Sequence, residues 1–237
     1  MIDTPIDESE SQFGQEFGAR IIKRHKLPGL SVNSKHQPEI IELKLEQQTS
    51  VELAVVDYYQ SNCFFLENNL FNGVLGLLIW EAVFAPVAGA FYNPFQFRPS
   101  DFHAFDFVQK RQHYFEQIWS SVNDNDDIWR IVSSCWQKKQ GIANPLVNWA
   151  YLDLDIIELA LQRIDHHHWL RIFERILRDL RNNRSGFPDL ILFPDEGGYQ
   201  LIEVKGPGDT LQKNQQRWMQ YFAQHQIPHC LAKVSWA

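Results

Sequence analysis

The chain has 237 residues, of which 44% are hydrophobic and 14% aromatic, which is enough apolar material for a sizeable buried core. Its formal net charge of -7 excludes a protein that coats nucleic acid with its whole surface, because phosphate binding depends on clustered Lys and Arg side chains. The N-terminus lacks a secretory signal and no apolar run approaches ~20 residues, so we expect no membrane partner and an intracellular protein, cytoplasmic in a bacterium or nuclear in a eukaryote.

The first 49 residues are predicted to form an N-terminal segment. Its first ~15 residues are acidic and rich in serine, a composition typical of a disordered tail. The remainder, up to residue 49, has a mixed pattern that predicts no particular element.

Residues 50–184 are predicted to form a helical region. Ser50 is positioned to cap an amphipathic helix that ends near residue 61, and apolar residues at helical spacing predict a second helix over 67–84. The aromatic-rich stretch 91–107 contains two prolines and indicates a packed, irregular connection, with its aromatic side chains mainly in the core. Further helices are expected at 107–122, 127–137 and 153–164, and from Asp165 to about residue 182.

After residue 186 the apolar periodicity changes from helical to strand-like. Residues 190–193 and 199–204 form two short apolar strands around a Pro-Asp-Glu-Gly-Gly turn, which predicts a hairpin. An amphipathic helix over 211–224 and a third strand over 229–234 follow. The predicted fold is therefore α/β, with a small mixed sheet flanked by helices in residues 185–237 and a helical region before it.

Three polar residues on this hairpin have the chemistry of a hydrolytic metal site. Glu203 and Lys205 are two residues apart on one strand, so their side chains project to the same face, and the hairpin can bring Asp189 beside them. Two carboxylates and a lysine suit phosphodiester hydrolysis, because Mg²⁺ prefers oxygen ligands and a lysine can orient water or stabilise phosphate charge. The alternative is a turn hydrogen bond made by the aspartate and an exposed Glu-Lys ion pair.

The motifs around these residues resemble the VRR-NUC nuclease module of the PD-(D/E)xK superfamily. The resemblance rests on GFPDL at 186–190, LIEVKGPGDTL at 201–211 and Gln215. SVELA at 50–54 and GLLIWE at 76–81 resemble the helical lead-in of the Fanconi-associated nuclease family. The resemblance implies a restriction-endonuclease-like fold and an enzyme dependent on Mg²⁺ or Mn²⁺ that acts on DNA.

The resemblance also implies roles for individual residues. Asp189 and Glu203 correspond to the metal-binding carboxylates, Lys205 to the catalytic lysine and Gln215 to the motif glutamine, which would hold a phosphate or the attacking water. A further metal-binding glutamate falls on Glu67. The backbone carbonyl of Val204 would be a fourth protein oxygen for the metal.

Basic and histidine-rich stretches give weaker indications. Lys213 and Arg217, which flank Gln215, and Arg178 and Arg181 in a basic stretch are candidates for contacts to the DNA backbone; the alternative is solvated surface charge. Residues 166–168 are three consecutive histidines, which cannot all bind one ion from a helix, and we interpret them as surface residues.

We therefore expect a structure-specific endonuclease and 5′-3′ exonuclease that cuts DNA near 5′ flaps or branches in repair of interstrand crosslinks. One alternative is a nuclease of Holliday junctions or of branched DNA in general, since compact VRR-NUC modules act on junctions as homodimers. Another is a catalytically idle DNA-binding or assembly module that needs a partner chain. In larger family members a long N-terminal region selects the flap, so the N-terminal part of a larger nuclease, or a separate chain, is an expected partner.

Overall fold

The structure is a computed structural model that describes residues 38–46, 50–60 and 62–237. The predicted disordered tail lies outside these residues. The chain divides into two compact units: a sheet unit, which contains the described residues up to Leu70 together with Arg184–Ala237, and a helical unit, Phe71–Asn183. The chain therefore leaves the sheet unit once and returns to it more than a hundred residues later. No helix in the described ranges combines the length and hydropathy needed to cross a membrane.

The sheet unit contains a mixed sheet with the strand order β1-β5-β4-β3-β2. β2, β3 and β4 pair antiparallel, whereas β4, β5 and β1 pair parallel. The hairpin β3-β4 and the final strand β5 confirm the predicted strands. The sequence pattern assigned no element to the segment that forms β1, and the prediction of only helices over 50–184 is wrong for β2. The strands are β1 (Glu39–Leu45), β2 (Cys63–Phe65), β3 (Leu190–Leu192), β4 (Gln200–Lys205) and β5 (His229–Trp236).

Helices account for most of the remaining described residues. Ser50 caps the first helix with its hydroxyl, as predicted. The single helices predicted over 67–84 and 107–122 are each interrupted, at Ile79 and at Arg111, and the helix predicted to reach residue 182 ends at Arg178. The helices are α1 (Val51–Tyr59), α2 (Asn69–Leu78), α3 (Trp80–Val83), α4 (Phe107–Lys110), α5 (Gln112–Ser121), α6 (Asn125–Lys139), α7 (Leu154–Arg163), α8 (His166–Arg178) and α9 (Lys213–Gln224).

The two faces of β4 have different roles. Ile202 and Val204 are buried on one face in an apolar cluster that also contains Val55 of α1. Glu203 lies on the opposite face, where Gln215 of α9 contacts its carboxylate. This alternation follows from the period of two along a strand, and it places a charged residue in the centre of the sheet without breaking the apolar cluster.

The helical unit has its own apolar core. α8 is buried along almost its whole length, and its aromatic residue Trp169 packs edge-on against Phe71. The prediction that the aromatic stretch 91–107 lies in the core holds for Phe102 and Phe107. It is wrong for four exposed side chains, which are Tyr92, Phe95, Phe97 and Phe105.

Two glycines of the sheet unit give a test of this fold. Gly186 precedes β3 with a φ of 87°, and a β-carbon there would lie 2.9 Å from the backbone of Asn214. Gly198, in the β3-β4 turn, has a φ of 75° but open space around it. We expect Gly198→Ala to lower the free energy of unfolding by about 1–2 kcal/mol, the cost of a left-handed residue.

Gly186→Ala should lower the free energy of unfolding by a further ~1–3 kcal/mol, because the helix backbone must also shift to relieve the clash. Urea denaturation of the two variants measures the difference. Equal losses of stability for the two variants would show that α9 does not pack closely against Gly186.

Candidate active site

Asp189 stands immediately before β3 and joins three segments of the sheet unit. Its backbone carbonyl accepts hydrogen bonds from the amides of Leu66 (3.1 Å) and Glu67 (3.0 Å), which follow β2. Its carboxylate oxygen Oδ2 accepts a hydrogen bond from the amide of Val204 (2.9 Å). Asp189 therefore fixes the end of β2 and the end of β4 relative to its own side chain.

The backbone of Val204 is directed toward β3. Leu201 donates its amide toward β5, to the carbonyl of Pro228, so the alternate residues Ile202 and Val204 direct their amide and carbonyl toward β3. Leu190 pairs with Ile202, and extending this register by two places sets Pro188 opposite Val204. Since proline has no N–H, the ladder supplies no donor for the Val204 carbonyl. That carbonyl is left facing the Asp189 side of the sheet.

Glu203 and Lys205 project to one face, as the strand period predicts. The Lys205 ammonium Nζ lies 2.7 Å from Oε1 of Glu203, and the Gln215 amide donates to the same oxygen at 2.5 Å. Glu203 is 0% exposed. Its second oxygen, Oε2, is buried and has no hydrogen-bond partner among the described residues. A buried charged oxygen without a donor is costly, so this atom marks a position for a cation.

Gln215 connects this carboxylate to the start of α9. Its carbonyl Oε1 accepts a hydrogen bond from the backbone amide of Gln212 (2.9 Å), while its Nε2 reaches Glu203. The Gln212 side chain in turn accepts from the backbone of Gln215, which completes a capping box. Both ends of the Gln215 amide are thus engaged by protein groups.

Glu67 lies on the turn between β2 and α2. Its side chain is exposed, and its φ of 39° falls in the left-handed region, which costs a residue with a β-carbon about 1–2 kcal/mol. Asn68 donates to Glu67 Oε1 (2.7 Å) and accepts from the amide of Phe187 (3.2 Å). Backbone and side-chain contacts therefore both hold Glu67 beside the segment that carries Asp189.

Burial dominates the electrostatics of the two inner carboxyls. It raises the pKa of Asp189 to about 6, opposed by the Val204 hydrogen bond and by Lys205, with Glu52 and Glu67 raising it further. Burial likewise raises the pKa of Glu203 to about 7, and the nearby charge of Asp189 adds to the rise while Lys205 opposes it. Removal of both carboxyls from water is thus the main cause of the raised pKa values, and a bound cation would offset that cost by stabilising the ionised forms.

The donor set fits a hard divalent metal ion. It consists of oxygen atoms: the buried carboxylate of Glu203, the half-buried carboxylate of Asp189, the exposed carboxylate of Glu67 and a backbone carbonyl without a ladder donor. Mg²⁺ and Mn²⁺ prefer such ligands and need only a few of them from protein. The hydrogen-bond pattern also favours a cation here, because the oxygen Oε2 of Glu203 has no donor among the described residues.

The four basic residues proposed to contact DNA lie in different places. Lys213 and Arg217 are exposed and four residues apart on α9, so they share one face of that helix. Arg178 and Arg181 belong to the helical unit. Arg178 is paired with Glu174 at 2.9 Å, and Arg181 is exposed in the turn after α8.

The histidine run is only partly at the surface. His168 is buried, which lowers its pKa to about 4, so the prediction of three surface histidines is wrong there. Ligand atoms of Asp165, His167 and His168 lie within 4.8 Å of one another in the helical unit. His166 is not part of this group, in agreement with the expectation that the three consecutive rings cannot share one ion.

Sequence reasoning did not identify Asn68 or Glu52 as parts of this site, nor Gln212 as the N-cap of α9. The Gln-x-x-Gln pattern before an amphipathic helix is a capping-box signal that could have identified Gln212. Glu52 raises the pKa of Asp189, and its neighbour Val51 packs beside Gly206, at 3.0 Å from where a β-carbon on that glycine would lie. That proximity depends on tertiary packing and has no local signal.

The raised pKa values predict how stability depends on pH. Both carboxyls hold protons more tightly in the folded protein than in an unfolded chain, so the folded state is favoured below about pH 4 and loses this advantage as the pH rises through about 6 and 7. We expect the free energy of unfolding of the metal-free protein to fall by on the order of 1–3 kcal/mol between pH 5 and pH 8.

Urea denaturation in EDTA at these two pH values measures this decrease. In Glu203→Gln it should be smaller, whereas in the control Glu196→Gln, an exposed turn residue, it should match that of the unaltered chain. A pH dependence unaffected by Glu203→Gln would contradict the burial of an ionisable group at that position.

Comparison with known proteins identifies the family. The sequence model of the VRR-NUC domain matches residues 123–236. The Fanconi-associated nuclease 1 homolog of Pseudomonas aeruginosa is 39% identical over 209 residues, which cover 84% of this chain and 37% of that protein. The homolog of Caenorhabditis briggsae is 31% identical over 192 residues, 76% of this chain and 22% of that protein.

Solved structures agree with the sequence comparison. A crystal structure of paFAN1 bound to a 2-nucleotide 5′ flap DNA with a gap superposes with a TM-score of 0.82 at 34% identity, covering 99% of this chain and 44% of that chain. The chain thus spans less than half the length of these relatives. With its mixed five-stranded sheet, the PD motif immediately before β3 and the ExK motif on β4, the chain contains a VRR-NUC domain and has the PD-(D/E)xK nuclease fold.

Proposed function

We propose that this chain is a divalent-metal-dependent deoxyribonuclease that hydrolyses phosphodiester bonds near 5′ flaps or branches of DNA, as an endonuclease and a 5′-3′ exonuclease in DNA repair, including repair of interstrand crosslinks. The observation that carries the proposal is the convergence of Asp189, Glu203 and Lys205 at the start of β3 and the end of β4, with a buried carboxylate oxygen that has no donor among the described residues. Because the proposed substrate is cellular DNA, the protein would act in the compartment that contains that DNA.

In this proposal four groups hold the metal ion, which is Mg²⁺ or Mn²⁺. They are the carboxylates of Glu67, Asp189 and Glu203 and the carbonyl of Val204. A bound ion of this kind acts as a Lewis acid on a phosphoryl oxygen and lowers the pKa of a water molecule. Burial of Glu203 and the Val204 hydrogen bond to Asp189 keep the inner ligands fixed before any ion binds.

Lys205 and Gln215 complete the catalytic set. Lys205 is held by Glu203 at 2.7 Å, so its ammonium stays beside the carboxylates, where it would orient the attacking water or stabilise charge on the phosphate. Gln215 donates to the same carboxylate from α9. Neither side chain has to be reorganised before the reaction, which favours a preorganised electrostatic role.

DNA would be held by basic residues outside this pocket. Lys213 and Arg217 present two charges on the exposed face of α9, two residues before and two residues after Gln215. Arg178 and Arg181 are proposed as further contacts from the helical unit. The support for a flapped substrate is the similarity to paFAN1, which was crystallised with 5′ flap DNA.

A cleavage assay tests the proposal. Labelled 5′ flap, splayed-arm and four-way-junction DNAs are incubated with the chain and Mn²⁺, and we expect cleavage of the flap near its branch. Lys205→Ala should reduce the rate at least about 100-fold, the range seen for loss of a group that stabilises developing charge. Lys44→Ala, an exposed lysine of β1, serves as the matched control and should leave the rate unchanged.

Three outcomes would contradict the proposal or narrow it. Absence of cleavage above the Lys205→Ala background, for all three DNAs, would leave the idle DNA-binding module as the better description. Preferential cleavage of the four-way junction by a dimer would replace the flap substrate with the junction. Rapid cleavage in the presence of EDTA would show that catalysis does not depend on a metal ion at this site.

Metal binding can be measured without DNA. We expect titration calorimetry with Mn²⁺ to show binding that is weakened at least about tenfold by Glu67→Gln and by Glu203→Gln, because each removes an ionised ligand. Glu196→Gln removes one charge from an exposed turn of the same unit and should have little effect. Unchanged affinity in Glu67→Gln would remove that residue from the ligand set.

A further inference from the structure

Two amide side chains at the proposed site are used in the same way. Gln215 and Asn68 each contact a backbone amide with one end and a carboxylate of the site with the other. Gln215 approaches Glu203 from α9, and Asn68 approaches Glu67 from the turn after β2. The two bridges therefore reach two different carboxylates from two different segments of the sheet unit.

The backbone contacts determine which way each amide faces. A backbone N–H can only donate, so the amide of Gln212 requires the carbonyl oxygen of Gln215. The NH₂ of Gln215 is then left to face Oε1 of Glu203, at 2.5 Å. Only one orientation of the Gln215 amide satisfies both contacts. In the reversed orientation its carbonyl oxygen would face the Glu203 carboxylate, and its NH₂ would face the backbone N–H of Gln212.

The same reasoning applies to Asn68. The amide of Phe187 donates to its carbonyl oxygen at 3.2 Å, which leaves its NH₂ to donate to Oε1 of Glu67 at 2.7 Å. Phe187 is two residues before Asp189. Asn68 therefore holds the exposed carboxylate of Glu67 to the segment that carries the central aspartate.

One oxygen of Glu203 is occupied by two donors. Lys205 and Gln215 both bind Oε1, whereas Oε2 has no donor among the described residues. Rotation of the carboxylate out of this orientation would break both contacts at once. The pair of donors thus selects which oxygen stays available for another ligand.

We propose that Gln215 and Asn68 are positioning residues that pre-orient Glu203 and Glu67 toward a divalent cation, with Glu203 presenting Oε2 alone. The inference rests on the proposed function, since the cation is the metal of the nuclease site. Donors that orient metal-binding carboxylates typically change metal affinity or activity about 10- to 100-fold when they are removed. A role in helix capping alone would change stability and leave metal affinity as it was.

The capping box provides a matched pair of variants. Gln215→Ala removes the donor to Glu203 and half of the capping box, whereas Gln212→Ala removes the other half and leaves the side-chain bond from Gln215 to Glu203 in place. We expect titration with Mn²⁺ to show a dissociation constant at least about tenfold higher for Gln215→Ala and close to the wild-type value for Gln212→Ala. Equal weakening in both variants would overturn the proposal in favour of helix capping.

Amide-to-acid variants separate the two ends of each bridge. Gln215→Glu and Asn68→Asp retain an oxygen that accepts from the backbone amide but cannot donate to the carboxylate when ionised at pH 8. We expect both to cleave flap DNA at least about tenfold more slowly at saturating Mn²⁺. Wild-type cleavage rates in these two variants would overturn the positioning role.

The unaltered chain distinguishes failure of this inference from failure of the proposed function. If it neither binds Mn²⁺ nor cuts DNA, both the proposed nuclease function and the positioning role are overturned. If it binds Mn²⁺ and cuts DNA while Gln215→Ala and Asn68→Ala have wild-type affinity, only the positioning role is overturned.

Discussion

At the entry to β3, the carboxylate of Asp189 accepts the hydrogen bond that a backbone carbonyl would otherwise take from Val204. This substitution ends the β3-β4 ladder at that point, because the next residue back, Pro188, has no N–H to donate. β4 remains paired with β5 as far as Lys205. The consequence of the substitution is a short gap between β3 and β4 in which a side-chain carboxylate and a backbone carbonyl replace the regular ladder. The remaining polar groups of the site surround this gap.

Burial makes the same gap costly in the absence of a ligand. Asp189 and Glu203 both have raised pKa values, chiefly because they are removed from water. A fold selected only for stability would place apolar residues here, as it does at Ile202 and Val204 on the opposite face of β4. A bound cation would reverse the sign of their contribution to stability, which agrees with the proposed metal site.

Local periodicity was sufficient to predict the central part of this arrangement. Alternation along β4 placed Glu203 and Lys205 on one face, and the hairpin brought Asp189 near them, in both cases without tertiary information. β1 and β2 were missed because their pairing is not local: β1 pairs with the final strand, and β2 has three residues whose partner strand begins after residue 189. Strand signals of that length are weak until the partner is known.

Glu67 and Asn68 show a different limit of sequence reasoning. An acidic residue near a helix start is common, and only resemblance to a family singled out Glu67. The next residue, Asn68, has no signal in the sequence, yet in the structure its side-chain amide links Glu67 to Phe187. The contacts to DNA also depend on tertiary structure, because a charge such as Lys213 has the same local pattern whether it meets phosphate or water.

The position of the helical unit within the chain has an entropic consequence. Glu67 lies three residues before the chain leaves the sheet unit after Leu70, and Asp189 lies five residues after it returns at Arg184. About 120 residues of sequence therefore separate these two residues of the site. The amides of Leu66 and Glu67 meet the Asp189 carbonyl at the two ends of this loop. Contacts of such high sequence separation form late in folding, because loop closure must precede them. The pocket would then be among the last parts of the molecule to become ordered, and among the first to be lost when the loop opens.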